Sequence, residues 1–107
     1  MGVVMVNTWV IKPEKQAEFP QMWKRYLKYV KENPEKFKEL KSIRLFTQTF
    51  GGIYGAYVEL VEYESLTDYE KLIVRVFKDE GFMKIFQELM LLMEPGTFSL
   101  NVWNSVM

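Results

Sequence analysis

The sequence predicts a small α+β protein, a βαββαβ sandwich of the ferredoxin-like kind in which helices cover one face of a four-stranded sheet. Three observations predict it. Gly51 and Gly52 divide the chain into halves that share one internal order, an alternating stretch, an amphipathic helix and another alternating stretch. The helical stripes are long and regularly spaced. A length of 107 residues suits a single domain, spanning 1–107, with one core.

Residues 3–11 (VVMVNTWVI) are β-branched and aromatic-rich with apolar groups on both alternating sets, which predicts a strand covered on both sides. Lys12 and Pro13 end it, because Pro has no N–H for the ladder. Phe19, Met22, Trp23, Tyr26, Leu27 and Val30 then recur at helical spacing, with Lys24, Arg25, Lys28 and Lys31 on the other side. Pro20 belongs in the first turn of that helix, and Asn33 with Pro34 closes it. Residues 42–50 and 53–63 alternate as the second and third strands. Only Gly51 and Gly52 separate them, which predicts a type I′ hairpin, since Gly adopts the required positive φ without steric cost.

Ser65 is the expected N-cap of the second helical region, with Asp68 three residues on. Tyr69, Leu72, Ile73, Val76 and Phe77 form one apolar stripe, and Phe82, Ile85, Phe86, Leu89, Met90 and Met93 a second; Gly81 is read as the break between them. Met83, Met90 and Met93 are read as core filling. Glu94, Pro95 and Gly96 stop the helix, and residues 97–106 alternate as the last strand. The order βαββαβ gives right-handed crossovers and one sheet face without helices. Both alternating sets carry large groups, Met5, Trp9, Ile11, Ile43 and Leu45 against Val4, Val6, Val10, Phe46 and Phe50. One set would stay wet in a lone subunit, so a homodimer joined through the sheet faces is expected.

Composition sets the limits of function. Apolar residues are 49% of the chain and aromatics 16%, too rich for a disordered chain, and no apolar run approaches the roughly 18 residues that span a bilayer. With no Cys and no cleavage-type leader, the expected location is the cytoplasm, without membrane association. Lys and Glu dominate the charges, which leans towards a thermophilic source, while seven Met lean away from it. Residues 12–44 hold ten cations and five anions, and residues 59–94 four cations and nine anions, so halves of about +5 and −5 cancel. Solvated helix faces of unequal sign account for this; docking of one copy on another is the alternative. A nucleic-acid surface is not expected, because the open sheet face is read as carrying apolar groups rather than the exposed aromatics that ferredoxin-like RNA binders need, and the pI is about 6.3.

The stretches Lys12-Pro13-Glu14-Lys15, Ala17-Glu18-Phe19, Phe46-Thr47-Gln48-Thr49 and Glu62-Tyr63-Glu64-Ser65 resemble the dimeric α+β barrel superfamily, which includes antibiotic-biosynthesis-type monooxygenases and NIPSNAP-like proteins. The resemblance covers nearly the whole chain. It implies a homodimer whose sheets close into a barrel, with a ligand cleft between each sheet and its helices. The haem-degrading members carry an Asn on the first strand, a Trp ending the third and a His on the second helical region. Asn7 matches the first, Tyr63 stands in the second place and Phe86 in the third. The usual axial ligands, His and Cys, are absent and Tyr ligates iron only rarely, so haem degradation and metal sites are not expected, and no cofactor is assigned.

Cofactor-free oxygenation or isomerisation needs an apolar cleft, a base and a polar group to orient the substrate. Glu59 is the candidate base, since a carboxylate mid-strand among Tyr57, Val61 and Tyr63 would be desolvated; Asn7 and Tyr63 complete the catalytic set. Trp9, Thr47, Tyr57, Phe86, Asn101 and Trp103 are the candidate residues of a cleft for a small apolar or aromatic ligand. Two readings stay open: a monooxygenase-like or isomerase-like enzyme, and a non-catalytic binding or structural protein. For Glu59 the plain alternative is an open-edge position, solvated or paired with a Lys; for Thr47 and Thr49, ordinary strand formation, and for Gln48 a bond across the dimer. For Arg75 an ion pair is preferred over an anion site.

Overall fold

A computed structural model of the chain describes residues 2–52 and 55–106. The order of elements is β1 (Val3–Trp9), α1 (Phe19–Glu32), β2 (Leu40–Thr47), β3 (Tyr57–Tyr63), α2 (Leu66–Val76), α3 (Glu80–Leu91) and β4 (Ser99–Asn104), with short 3-10 turns at Pro13–Lys15 and Pro34–Phe37. The sheet order is β2-β3-β1-β4 and every pairing is antiparallel, the ferredoxin-like α+β arrangement read from the sequence.

Register decides which side chains meet. Asn7 pairs with Glu59 across β1 and β3, and with Leu100 across β1 and β4. Paired residues in an antiparallel ladder share a face, so Met5, Asn7, Trp9, Glu59, Val61 and Tyr63 all lie beneath the helices. Val4, Val6, Phe46, Val58, Leu60 and Trp103 take the open face. Two clusters fill the covered side, one around Met5, Val61, Tyr63, Leu72 and Phe82, the other around Trp9, Phe19, Trp23 and Leu89. The helices do not reach β4, all six residues of which are exposed.

The strands are shorter than alternation suggests. β1 stops at Trp9, while Ile11 survives as an isolated bridge to Met93. β2 begins two residues early, at Leu40, with a bulge between Leu40 and Ser42. The two-residue Gly-Gly hairpin is corrected. Thr47 pairs with Tyr57, a register whose midpoint falls on Gly52 itself, so a two-residue loop over Gly51 and Gly52 cannot be its centre. Gln48 N donates to Ala56 O and Gly55 N to Gln48 O, widening the turn. Gly51, Gly52 and Gly55 all have positive φ, so the glycines serve a turn, though a longer one. Ile53 and Tyr54, assigned above to the third strand, lie outside the described residues.

The break between α2 and α3 also moves. It falls at residues 77–79, and Asp79 caps α3 by accepting from Phe82 N at 2.9 Å. Gly81 sits inside the first turn of α3 for a different reason. A Cβ there would come within 2.6 Å of the Tyr29 hydroxyl, and that hydroxyl donates to Asp79. Lys36 pairs with the same carboxylate at 2.7 Å, and the bonds from Lys36 and Tyr29 lower the Asp79 pKa to about 2. The Ser65 cap is as expected, accepting from Asp68 N. Much of the charge asymmetry is resolved within the chain: Arg25–Glu88, Lys36–Asp79 and Lys41–Glu64 each join a first-half cation to a second-half anion. Arg75 grips Glu39 through both guanidinium nitrogens at 2.7 and 2.6 Å, the ion pair preferred above.

Two outcomes follow. Gly81→Ala should lose about 1–2 kcal/mol in urea unfolding despite its better helix propensity, because the methyl group displaces Tyr29; in a Tyr29→Ala background the loss should vanish. The Asp79 carboxylate has a folded pKa below its unfolded value, so its stabilisation is present above the ordinary 3.8 and lost as pH falls towards 2. Asp79→Asn should therefore cost stability at neutral pH and little in acid, checked by thermal melts across that range.

Candidate functional site

Between the covered face of the sheet and the helices lies a cavity of about 200 Å³. Its sheet wall carries Met5, Asn7, Trp9, Glu59, Val61 and Tyr63, and its helix wall includes Trp23, Tyr26, Phe82 and Phe86. Phe98 and Leu100 line it at the β4 side, 40% and 45% exposed. The lining is apolar apart from a few convergent polar groups, the usual character of a small-molecule site. An engineered apolar cavity somewhat smaller than this holds benzene, so the volume admits one ring.

Glu59 is the chemical centre. The residue is 7% exposed, the one charged side chain in the buried set of the described residues. Asn7 Nδ2 donates to its Oε1 at 3.0 Å, and Tyr26 hydrogen-bonds to the same carboxylate. Burial raises the Glu59 pKa above its ordinary value of 4.5, and the two hydrogen bonds from Asn7 and Tyr26 oppose the rise. Burial likewise raises Tyr26, and the nearby negative charge of Glu59 adds to it; the phenol therefore keeps its proton and serves as a donor. Tyr63 is raised for the same leading reason and packs edge-on against Tyr69.

Two buried polar atoms have no partner among the described residues, Asn7 Oδ1 and Trp9 Nε1. Both belong to side chains of the cavity wall. Trp9 is 1% exposed and packs among Phe19, Trp23, Tyr57 and Phe98.

The residues singled out from the sequence divide into two groups. Asn7, Trp9, Glu59, Tyr63 and Phe86 line the cavity together. Tyr57 shares their face but stands behind Trp9, stacked on it at 6.4 Å and against Phe19 at 4.3 Å. Thr47 lies exposed at the end of the edge strand β2, away from the cavity. Asn101 and Trp103 are corrected, because they pair with Val6 and Val4 and so point to the open face. Parity within one strand is readable, but the parity that relates β4 to β1 depends on a register the sequence does not display. Tyr26 was missed, having been assigned to the apolar stripe of α1. Its signal was the hydroxyl, since a buried Tyr O–H needs a partner.

The architecture is an α+β sandwich with a buried carboxylate at the wall of a ring-sized apolar cavity. The NIPSNAP family model matches residues 4–95, and the chain belongs to that family. No curated protein matches it in sequence. Solved structures share its fold at low identity. A NIPSNAP family protein from Agrobacterium tumefaciens superposes with a TM-score of 0.75 at 14% identity, covering 97% of this chain and 92% of that one. An antibiotic-biosynthesis-monooxygenase-type protein from Caulobacter crescentus gives 0.72 at 20% identity, covering 99% and 91%. SnoaB, a cofactor-independent oxygenase from Streptomyces nogalater, gives 0.70 at 15%, covering 99% and 94%.

The burial of Glu59 has a sign that can be measured. Its folded pKa exceeds its unfolded one, so its contribution to stability is fully present below 4.5 and is lost as pH rises through the folded value. Glu59→Gln removes that titration. Relative to wild type, the variant should be more stable at pH 7 than at pH 4 in paired thermal melts; a difference that does not change with pH contradicts a desolvated carboxylate.

Proposed function

We propose that this protein is a small-molecule enzyme of the oxygenase-like or isomerase-like kind, in which Glu59 removes a proton from a weakly acidic, ring-sized substrate. The observation that carries the reading is the position of Glu59: a desolvated carboxylate at the wall of an apolar cavity, steadied by Asn7 and Tyr26. A carboxylate with a raised pKa is a stronger base than an exposed one. The cavity gives it a substrate-sized space. Asn7 orients both the base and the substrate, and Tyr63 supplies a protonated hydroxyl to the wall. SnoaB, which shares the fold, is a cofactor-independent oxygenase, and that likeness supports the same chemical class without fixing the reaction. A haem does not suit this site: the chain has no His or Cys, Phe86 presents hydrocarbon, and one ring fills the space. The competing reading, a binding or structural protein of the same fold, is favoured by the close packing of aromatic rings around Trp9.

The working unit in this reading is a homodimer. Phe46 and Trp103 stand 40% and 58% exposed on the helix-free face beside Val4, Val58 and Leu60, an apolar surface that a second copy would cover.

Proton abstraction is tested directly by NMR, as solvent deuterium entering the enolisable positions of phenylacetone, a one-ring ketone. Wild type should accelerate the exchange, and Glu59→Gln should reduce that acceleration at least about 100-fold while keeping assembly intact. Equal rates in the two proteins contradict the catalytic reading. For assembly, sedimentation should report a dimer in wild type and a shift towards monomer in Trp103→Asp; a wild-type monomer at micromolar concentration contradicts it.

A further inference from the structure

The reading of the cavity as a ligand site leaves the substrate class open, and the two unpartnered polar atoms narrow it. Asn7 Oδ1 can only accept a hydrogen bond and Trp9 Nε1 can only donate one. Buried polar groups without partners are uncommon, and each costs about 1–3 kcal/mol until something satisfies it. Asn7 and Trp9 are two residues apart on one face of β1, so their Cα atoms lie about 6.6 Å apart along the strand. Their side chains leave the strand on the same face and both line the cavity, so one ligand can lie against both. The same wall includes the Glu59 carboxylate and, among the described residues, no Lys or Arg. An anionic ligand would meet a negative charge in a low-dielectric cavity with no cation to offset it.

We infer that the cavity selects an uncharged ring compound bearing a hydrogen-bond donor such as a hydroxyl at one end, held by Asn7 Oδ1, and a carbonyl-type acceptor at the other, held by Trp9 Nε1. A hydroxyl on such a ring is acidified by conjugation to the carbonyl. The compound then presents its most acidic proton at the end of the cavity where Glu59 stands. This specificity rests on the proposed site but not on its being catalytic. Trp9 is a binding residue in it, and the aromatic packing about its ring holds the N–H in place.

The test uses four probes and the indole N–H resonance of Trp9, assigned by its loss from the spectrum of Trp9→Phe. p-Hydroxyacetophenone carries both groups, acetophenone lacks the hydroxyl, p-cresol lacks the carbonyl, and p-hydroxybenzoate is an anion. In wild type, p-hydroxyacetophenone should bind and move the Trp9 N–H downfield. Acetophenone and p-cresol should each bind roughly tenfold more weakly, the loss expected for one hydrogen bond, and p-cresol should leave the N–H resonance near its free position. p-Hydroxybenzoate should not compete. Trp9→Phe should weaken p-hydroxyacetophenone roughly tenfold and leave p-cresol unchanged.

A Trp9 N–H that does not move at saturation, or equal binding of the anion, overturns the inference whether or not the variant folds; the N–H then faces an aromatic ring and is structural. The expected binding order without Glu59-dependent deuterium exchange would refute the catalytic reading and leave this one standing. Exchange in a protein whose Trp9 N–H stays unmoved would do the reverse.

Discussion

The pairing of Asn7 with Glu59 across β1 and β3 is the constraint on which the molecule turns. Slipping the register by one residue would send Glu59 to the open face and bring Glu62 and Leu60 under the helices. With the observed register, a carboxylate is carried into the core and must be accommodated there. Asn7 provides one donor from the neighbouring strand and Tyr26 another from α1. A charge buried without such partners would be prohibitive. The sheet, the first helix and the cavity are thus tied together by one side chain.

That side chain also explains why the interior is not fully packed. Around Trp9 the rings are close, with centroid separations of 6.0 to 6.3 Å among Trp9, Trp23, Phe19 and Phe98. The cavity lies between these rings and the sheet, with Glu59 on its wall. Close-packed interiors rarely keep voids larger than a water molecule, and the proposed function rests on this ring-sized gap beside a desolvated acid. Other buried pairs in the fold have structural duties. Tyr29, Lys36 and Asp79 fix the start of α3, and Arg75 with Glu39 ties α2 to the segment before β2.

The topology was legible because hydrophobic periodicity and glycine placement report on local structure. The helical stripes and the four alternating stretches gave element order and type, and Ser65 marked a helix start. What could not be read was anything set between strands. The β2–β3 turn is wider than Gly51 and Gly52 suggest, and Asn101 and Trp103 fall on the wrong face because β4 registers on β1 through Leu100 opposite Asn7. Gly81 looked like a helix break and instead makes room for Tyr29, a contact between residues far apart in sequence. Within the site, Glu59 and Tyr63 could be grouped by alternation along β3, whereas placing Asn7 beside them depended on the β1–β3 register and the contribution of Tyr26 required knowing where α1 crosses the sheet.

The buried carboxylate can be observed without any ligand or variant activity. A carbon-13 NMR titration of the Glu59 side-chain carboxyl, assigned by its absence in Glu59→Gln, reads its protonation in the folded protein. The midpoint should lie above the ordinary 4.5, because burial outweighs the hydrogen bonds from Asn7 and Tyr26. A midpoint at or below 4.5 would mean a solvated or ion-paired Glu59, and the cavity would then hold no base.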